Sequence, residues 1–110
     1  LGAAVEDENV IAIVARVDGS FAGFSLAHYN SSFRKVSWEN LYILPKFRGK
    51  EFPEGKLTFY LMSELEKIST EIGAETIQCV ISPDNISSMK TIKGFGFESL
   101  GPHEWLYKKL

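Results

Sequence analysis

Residues 41–81 decide the fold, and they read LYILPKFRGKEFPEGKLTFYLMSELEKISTEIGAETIQCVI. The stretch opens with an apolar, β-type segment that stops at Pro45, and a loop rich in Gly, Pro and charge follows as far as Gly55. Apolar residues then recur every three or four positions up to Gly73, which predicts an amphipathic helix, and a short apolar strand comes next. A strand–helix–strand crossover requires that its two strands be parallel.

The residues before this crossover predict an antiparallel meander. The β-like segment 10–17 ends at Asp18-Gly19, a pair that favours a tight hairpin because glycine tolerates positive φ. A second strand is predicted over 21–29 and a third over 36–44. Short turns join these three strands, so the first half of the sheet is antiparallel.

The residues after the helix predict a strand over 76–81, buried on both faces, and a short second helix that ends near Lys93. Two closing strands are predicted at 97–100 and 104–109. The fold class is therefore α+β: a mixed β-sheet with an antiparallel meander, a central βαβ crossover and two closing strands.

The chain has 110 residues, which is enough for one domain. We predict a flexible N-terminal segment over 1–9 and a single domain over 10–110. The formal net charge of −2 argues against a nucleic-acid partner bound through a broad basic surface. A lone cysteine, Cys79, excludes an internal disulfide and indicates a reducing, cytoplasmic compartment. No apolar run approaches the ~20 residues of a membrane span, so no membrane partner is predicted.

The loop after the third predicted strand is a candidate anion site. A glycine-containing loop that leads into a helix N-terminus presents backbone N–H groups, and Arg48 and Lys50 add positive charge. One interpretation is a cradle for a pyrophosphate. The other is a solvated turn that carries two ordinary surface cations.

Residues 41–50 resemble the coenzyme-binding motif of the GNAT acetyltransferase superfamily, and residues 85–97, NISSMKTIKGFGF, resemble its second motif. The resemblance covers roughly residues 10–110. It implies the GNAT-like acyl-CoA N-acyltransferase fold, acetyl-CoA as co-substrate without a metal, and transfer of an acetyl group to a small-molecule or peptide amine. The coenzyme would lie where the third strand and the strand at 76–81 separate. The resemblance implies that coenzyme contacts come from Tyr42, Ile43 and Leu44 (pantetheine), from Arg48, Gly49, Lys50 and Gly55 (pyrophosphate), and from Asn85 and Ser88 (pantetheine).

The sequence departs from the family pattern in three places. Glu51 and Pro53 replace two glycines of the loop, unless about four residues are inserted and Gly55 resumes the motif. Ile92 stands where the family often has a tyrosine acid. The usual first strand and two helices do not fit before residue 10. These departures favour an alternative, a non-catalytic or weakly CoA-binding interaction domain, and they suggest a homo-oligomer such as a dimer, a missing N-terminal segment or a partner chain.

Glu39 is the candidate catalytic residue. By the two-residue period of a strand it shares a face with Leu41 and Ile43, where a carboxylate would serve as general base; alternatively it lies in solvent at the strand edge. His28 and Cys79 are interpreted as a surface residue and a small core residue, respectively.

Overall fold

A computed structural model of the chain describes residues 2–4, 9–53, 55–102, 104 and 106–110. The chain divides into two compact units, residues 1–80 and 81–110. The first unit holds five strands and one helix, and the second holds one helix among the described residues. The elements are β1 (Gly2–Ala4), β2 (Val10–Val17), β3 (Ser20–Asn30), β4 (Lys35–Ile43), a 3-10 turn (Pro45–Phe47), α1 (Leu57–Glu71), β5 (Thr76–Gln78) and α2 (Ile86–Gly94).

The sheet is mixed, as the sequence predicts. Its order is β1-β2-β3-β4-β5; the first four strands are antiparallel neighbours, and β5 pairs parallel to β4 after the α1 crossover. The predicted hairpin is confirmed, because Asp18 and Gly19 both take positive φ, 50° and 81°, between the paired residues Val17 and Ser20. Two positive φ values in succession match the right-handed twist of the flanking strands.

The core lies between α1 and one face of the sheet. From the helix, Leu57, Leu61, Met62 and Leu65 are buried, and α1 packs on β2, β3 and β4. The predicted apolar stripe holds as far as Leu65, but the buried face then turns to Ser69, and Ile72 is 40% exposed. The 3.6-residue period of a helix causes this drift over four turns. The buried apolar residues of the sheet are Ile11, Ile13, Ala15, Ala22, Ala27, Val36, Trp38 and Ile43, and two register shifts interrupt their alternation.

Residues 2–4, within the segment that we predicted as flexible, pair with β2. Two predictions about the later strands are wrong. The strand predicted over 76–81 is only Thr76–Gln78 and is not buried on both faces, because only Ile77 is partly covered there. The strand pairs with β4 over three residues only, and it ends where this pairing ends.

The two closing strands are not present either: the structure assigns no strand to residues 97–102, 104 and 106–110. Gly96 and Gly101 take positive φ of 93° and 96°, which interrupts an extended segment on both sides of Leu100. The apolar side chains of this segment are largely exposed, with Leu100 at 77% and Leu106 at 86%. Without a covering surface, alternating apolar residues gain little from a β conformation.

The second unit begins with a well-capped helix. Asn85 precedes α2, and its side-chain oxygen accepts a hydrogen bond from the Ser88 N–H at 3.2 Å, as is usual for an N-cap asparagine. Neither helix in the described part of the chain has the length and apolar character that a membrane span requires.

Candidate functional site

The strands β4 and β5 separate on one side of the sheet. Their parallel pairing ends at Ser37 and Gln78, whereas β4 continues to Ile43. Among the described residues, no strand pairs with β4 on this side from Glu39 to Ile43. The backbone there forms an open edge, and open edges carry N–H and C=O groups that a ligand can use.

The alternation of a strand decides which residues face this open edge. The Leu44 N–H donates to the Ala22 carbonyl on β3 at 2.8 Å. Because the peptide is trans, the Ile43 carbonyl points the opposite way, out of the open edge. By the two-residue period, Leu41 presents its backbone on the same side as Ile43. Of the three residues predicted to pair with pantetheine, Ile43 therefore faces the open edge, while the Leu44 N–H is used on β3.

Arg48 lies across the end of this edge. Its Nε donates to the Ile43 carbonyl at 2.8 Å, and its guanidinium lies 5.4 Å from the centroid of the Tyr42 ring. The Tyr42 ring in turn lies 6.1 Å from that of Phe24 on β3. An arginine has five N–H donors, so those not used by Ile43 remain for an anion.

Three further cations lie between residues 45 and 56, namely Lys46, Lys50 and Lys56, and the carboxylates of this segment are Glu51 and Glu54. Four cations and two carboxylates give the loop a local charge of +2 in a chain whose net charge is −2. Lys46 and Lys50 both lie near the Phe47 ring, with Nζ at 5.1 and 6.0 Å from its centroid. Glu51 and Pro53 are exposed, and Glu54 lies outside the described residues.

The glycines of the loop have distinct positions. Gly49 takes φ of 73° directly after Arg48, and Gly55 takes φ of 103° two residues before α1 begins. Phe52 and Gly55 exchange two backbone hydrogen bonds of 3.1 and 2.8 Å, which close the loop just before the helix. This geometry favours the alignment in which about four residues are inserted and Gly55 resumes the motif.

The N-terminus of α1 follows this loop directly. Lys56 occupies the N-cap without a side-chain hydrogen bond, and the first turn holds no acidic residue. The first N–H groups of a helix lack partners within the helix and carry the positive end of its dipole. An Arg, lysines and such a helix terminus are the donors that suit a diphosphate, so these residues fit the phosphate end of a coenzyme.

Glu39 does not share the face of Leu41 and Ile43, so that expectation is wrong. Leu26 pairs with Asn40 and Ala27 pairs with Trp38, which leaves Glu39 as the extra residue of a β-bulge. Its Oε2 lies 2.9 Å from Nδ1 of His28, and both side chains are about half exposed, at 45% and 47%. The carboxylate is thus on the sheet face opposite α1.

Cys79 follows β5 and is only partly buried. Burial raises the pKa of its thiol, so the neutral form predominates at pH 7 and the group is a poor nucleophile. The described residues contain no cluster of three or more His, Cys, Asp or Glu side chains that could hold a metal ion.

The remaining predicted residues lie in the second unit. Asn85 and Ser88 are joined by the capping hydrogen bond; Asn85 is exposed and Ser88 is half-buried. Ile92 is half-buried within α2, and its carbonyl accepts from the Phe95 N–H at 3.0 Å. An aliphatic side chain has no proton to donate, so Ile92 cannot act as an acid.

The described part of the chain thus combines a mixed sheet that contains one parallel pair with a basic loop and the helix N-terminus that follows it. The sequence matches the acetyltransferase (GNAT) family over residues 2–97. The chain belongs to that family, and it is thereby an enzyme of the acetyltransferase class.

Solved structures agree in fold. The aminoglycoside N-acetyltransferase AAC(6')-Iy in complex with CoA superposes with a TM-score of 0.81 at 22% identity, over 96% of this chain and 80% of that one. The same enzyme in complex with the bisubstrate analog CoA-S-monomethyl-acetylneamine gives 0.80 at 23% identity, over 96% and 73%. The PaiA N-acetyltransferase from Thermoplasma acidophilum in complex with coenzyme A gives 0.71 at 20%, over 82% and 52%. No curated protein sequence matches the chain.

Proposed function

We propose that the protein is an acetyl-CoA-dependent N-acetyltransferase that acts on a small-molecule or peptide amine. One observation carries the proposal: Arg48 is held by the Ile43 carbonyl at the end of β4, in the loop that leads to the N-terminus of α1. A coenzyme needs an anion site and a strand-like edge in one place, and these residues supply both. The enzymes AAC(6')-Iy and PaiA, which share the fold, were solved with CoA.

The phosphate end is assigned to Arg48, Gly49, Lys50 and Gly55, together with the first N–H groups of α1. Arg48 offers the guanidinium donors that Ile43 does not use, and Lys50 adds a mobile positive charge. Gly49 and Gly55 hold the positive φ values that turn the loop toward the helix. The exposed carboxylate of Glu51 opposes this charge, so the affinity for CoA is moderate rather than tight.

The pantetheine arm is assigned to the open edge of β4. Leu41 and Ile43 present backbone donors and acceptors there, whereas Tyr42 contributes its ring, which is 39% exposed beside Arg48. The Ile43 carbonyl has a second lone pair besides the one that Arg48 uses. Asn85 and Ser88 of the second unit remain predicted contacts of the pantetheine arm, and this prediction rests only on the family motif.

The acetyl group and the amine meet at the other end of the open edge, near Glu39. We assign proton removal from the amine to this region, since a neutral amine is required to attack a thioester. The family resemblance leaves the acceptor amine unspecified. A cytoplasmic location and a homo-oligomer also remain predictions from the sequence.

A second candidate is a domain that binds CoA without transferring the acetyl group. Ile92 favours it, because this side chain cannot protonate the departing thiolate. Solvent water can perform that protonation in an open site, so we rank the enzyme first.

Binding of CoA tests the proposed phosphate site, which we call the cradle: Arg48, Gly49, Lys50, Gly55 and the first N–H groups of α1. We expect CoA at about one hundred times its Kd to add about 2.7 kcal/mol to the free energy of unfolding, which differential scanning fluorimetry detects as a higher Tm.

A charge reversal at Arg48 tests which residue holds the phosphates. We expect Arg48→Glu to weaken CoA binding in isothermal calorimetry by roughly 10- to 100-fold, because charge-assisted hydrogen bonds of about 1.5–3 kcal/mol are lost.

Lys67→Glu on the exposed side of α1 is the matched control. It changes the net charge by the same amount as Arg48→Glu, but at a position far from the loop. It should leave the Kd within about a factor of two, since exposed charges at a distance are screened by salt. Equal losses in the two variants would contradict a localised cradle. An activity assay then distinguishes the two candidate functions. An acetyltransferase should release the CoA thiol from acetyl-CoA when neamine or a peptide amine is added, whereas a domain that only binds CoA should not.

A further inference from the structure

His28 and Glu39 form a carboxylate–imidazole pair that the sequence period does not predict. The bulge at Glu39 turns its carboxylate onto the sheet face that carries His28, and Oε2 meets Nδ1 at 2.9 Å. Both groups are about half exposed, at 45% and 47% of their side-chain surface. Bulges commonly re-aim a side chain beside a functional site.

The pair lies at a defined place along the open edge. The β4–β5 pairing ends at Ser37, and Glu39 comes two residues later. Leu44, beside the Arg48 cradle, is five residues further, or about 17 Å at the rise of an extended strand. If the diphosphate lies at Arg48, the coenzyme arm runs along β4 toward Glu39, so the thioester end approaches the pair.

The chemistry of the pair favours one division of roles. When Nδ1–H of a neutral imidazole donates to a carboxylate, its Nε2 carries the lone pair that accepts a proton. The carboxylate fixes the ring orientation and stabilises the imidazolium. We propose that His28 is the catalytic proton acceptor for the amine and that Glu39 is its positioning residue; this inference rests on the proposed acetyltransferase function.

Few other charged groups face His28. On the same face, β4 presents Ser37 opposite His28 and Lys35 two residues before it. The neighbouring strand β2 presents Val10 opposite His28, and α1 covers the other face of the sheet. Among the described residues, Lys35 is therefore the cation nearest along the strands, and Glu39 is the anion that contacts the ring.

The reaction balances with the groups named. The amine nitrogen forms a bond to the acetyl carbonyl carbon, and the bond between that carbon and the coenzyme sulfur breaks. Nε2 of His28 takes the proton that the amine loses and returns it to solvent or to the thiolate. The products are the acetylated amine and the CoA thiol, and no redox step is involved.

The pH dependence of the rate tests this assignment. We would measure thiol release from acetyl-CoA with neamine, and with concentrated ethylamine as an amine that needs no specific recognition. The wild-type kcat/KM should rise with pH on the acid side of its profile (the acid limb), because a general base accepts a proton only when it does not already carry one. His28→Gln should lower kcat by about 10²-fold and remove that limb, with the Kd for CoA unchanged.

Glu39→Gln should keep the acid limb, and kcat should fall by about tenfold, because the ring loses the carboxylate that holds its orientation. Nitrogen-15 NMR should show the Nδ1-protonated tautomer of His28 in the wild type and a mixture of tautomers in Glu39→Ala. Lys35→Gln, on the same face, should change neither the tautomer nor kcat by more than about twofold.

The opposite pattern overturns the inference. If Glu39→Gln removes the limb while His28→Gln retains it, Glu39 itself is the base. If thiol release persists and neither variant alters the limb, the pair has no role in catalysis although the proposed function stands. If CoA binds and no amine releases thiol, the transferase fails and the pair's role fails with it.

Discussion

Gly23 shows how one missing side chain sets the position of β4. A Cβ on Gly23 would overlap the Tyr42 carbonyl oxygen and lie 2.9 Å from Cδ1 of Ile43. The Tyr42 oxygen belongs to the backbone of β4, so it cannot move aside as the end of a flexible side chain could. We expect Gly23→Ala to lower the free energy of unfolding by about 1–3 kcal/mol, the usual cost of overpacking, as measured by urea denaturation. The shift of β4 should also weaken CoA binding at Ile43.

Gly94→Ala is the matched control for that substitution. Gly94 lies in α2, and a Cβ there meets no atom within 4 Å. Alanine is the better helix former, so this variant should be neutral or more stable by up to about 1 kcal/mol. A Gly23→Ala variant as stable as Gly94→Ala would show that β3 and β4 are not closely packed at this point.

Glu39 shows what a residue pattern cannot predict. The two-residue period predicts that Glu39 shares a face with Leu41 and Ile43, and it fails there because a bulge adds one residue to β4. No sequence signal marks this bulge: the local residues Trp38-Glu39-Asn40 are compatible with a regular strand. The partnership with His28 depends on the bulge, and for that reason the sequence indicated only a surface histidine there.

At the scale of elements, α1 stabilises the sheet through a few side chains. Leu61 is fully buried in the second turn of the helix, whereas Phe59, two residues earlier, is 52% exposed. We expect Leu61→Ala to lower the free energy of unfolding by about 2–5 kcal/mol through lost contacts and a residual cavity. Phe59→Ala should cost less than about 1 kcal/mol. Thermal denaturation of both variants measures the difference, and equal losses would contradict the assigned helix face.

The elements that the sequence predicted well are those with local signals. Asp18-Gly19 fixes the first hairpin, Pro45 ends β4 within two residues, and Gly73 follows the end of α1. The basic loop and the cap at Asn85 were also predictable, because they depend on residue types at short spacing. These local signals define most of the first unit.

The elements that the sequence predicted poorly depend on partners that are distant along the chain. β5 needs a neighbour along its whole length, and its pairing with β4 covers three residues. The segments 97–100 and 104–109 have apolar alternation but are not strands where the structure describes them. Alternating apolar residues indicate that a segment is suited to a half-buried sheet. They form a strand only where a neighbouring surface is present to bury them.

At the scale of the molecule, burial is concentrated in the first unit. Every buried side chain of the described residues lies between Ile11 and Ser69, and α2 contains none. Backbone amides exchange with solvent by local opening where few buried contacts hold them. We therefore expect hydrogen exchange to be slowest in β2, β3 and α1, and faster by orders of magnitude in α2.

CoA should alter this pattern where it binds. If Asn85 and Ser88 contact the pantetheine arm, CoA should slow exchange across 86–94, and the cradle should slow it in the first turn of α1. Mass spectrometry with and without CoA measures both segments in one experiment, and the exposed turn at Asn30 serves as the internal control. Protection at α1 with none at α2 would leave Arg48 in the site and remove Asn85 and Ser88 from it, because a ligand protects only the segments whose opening it opposes.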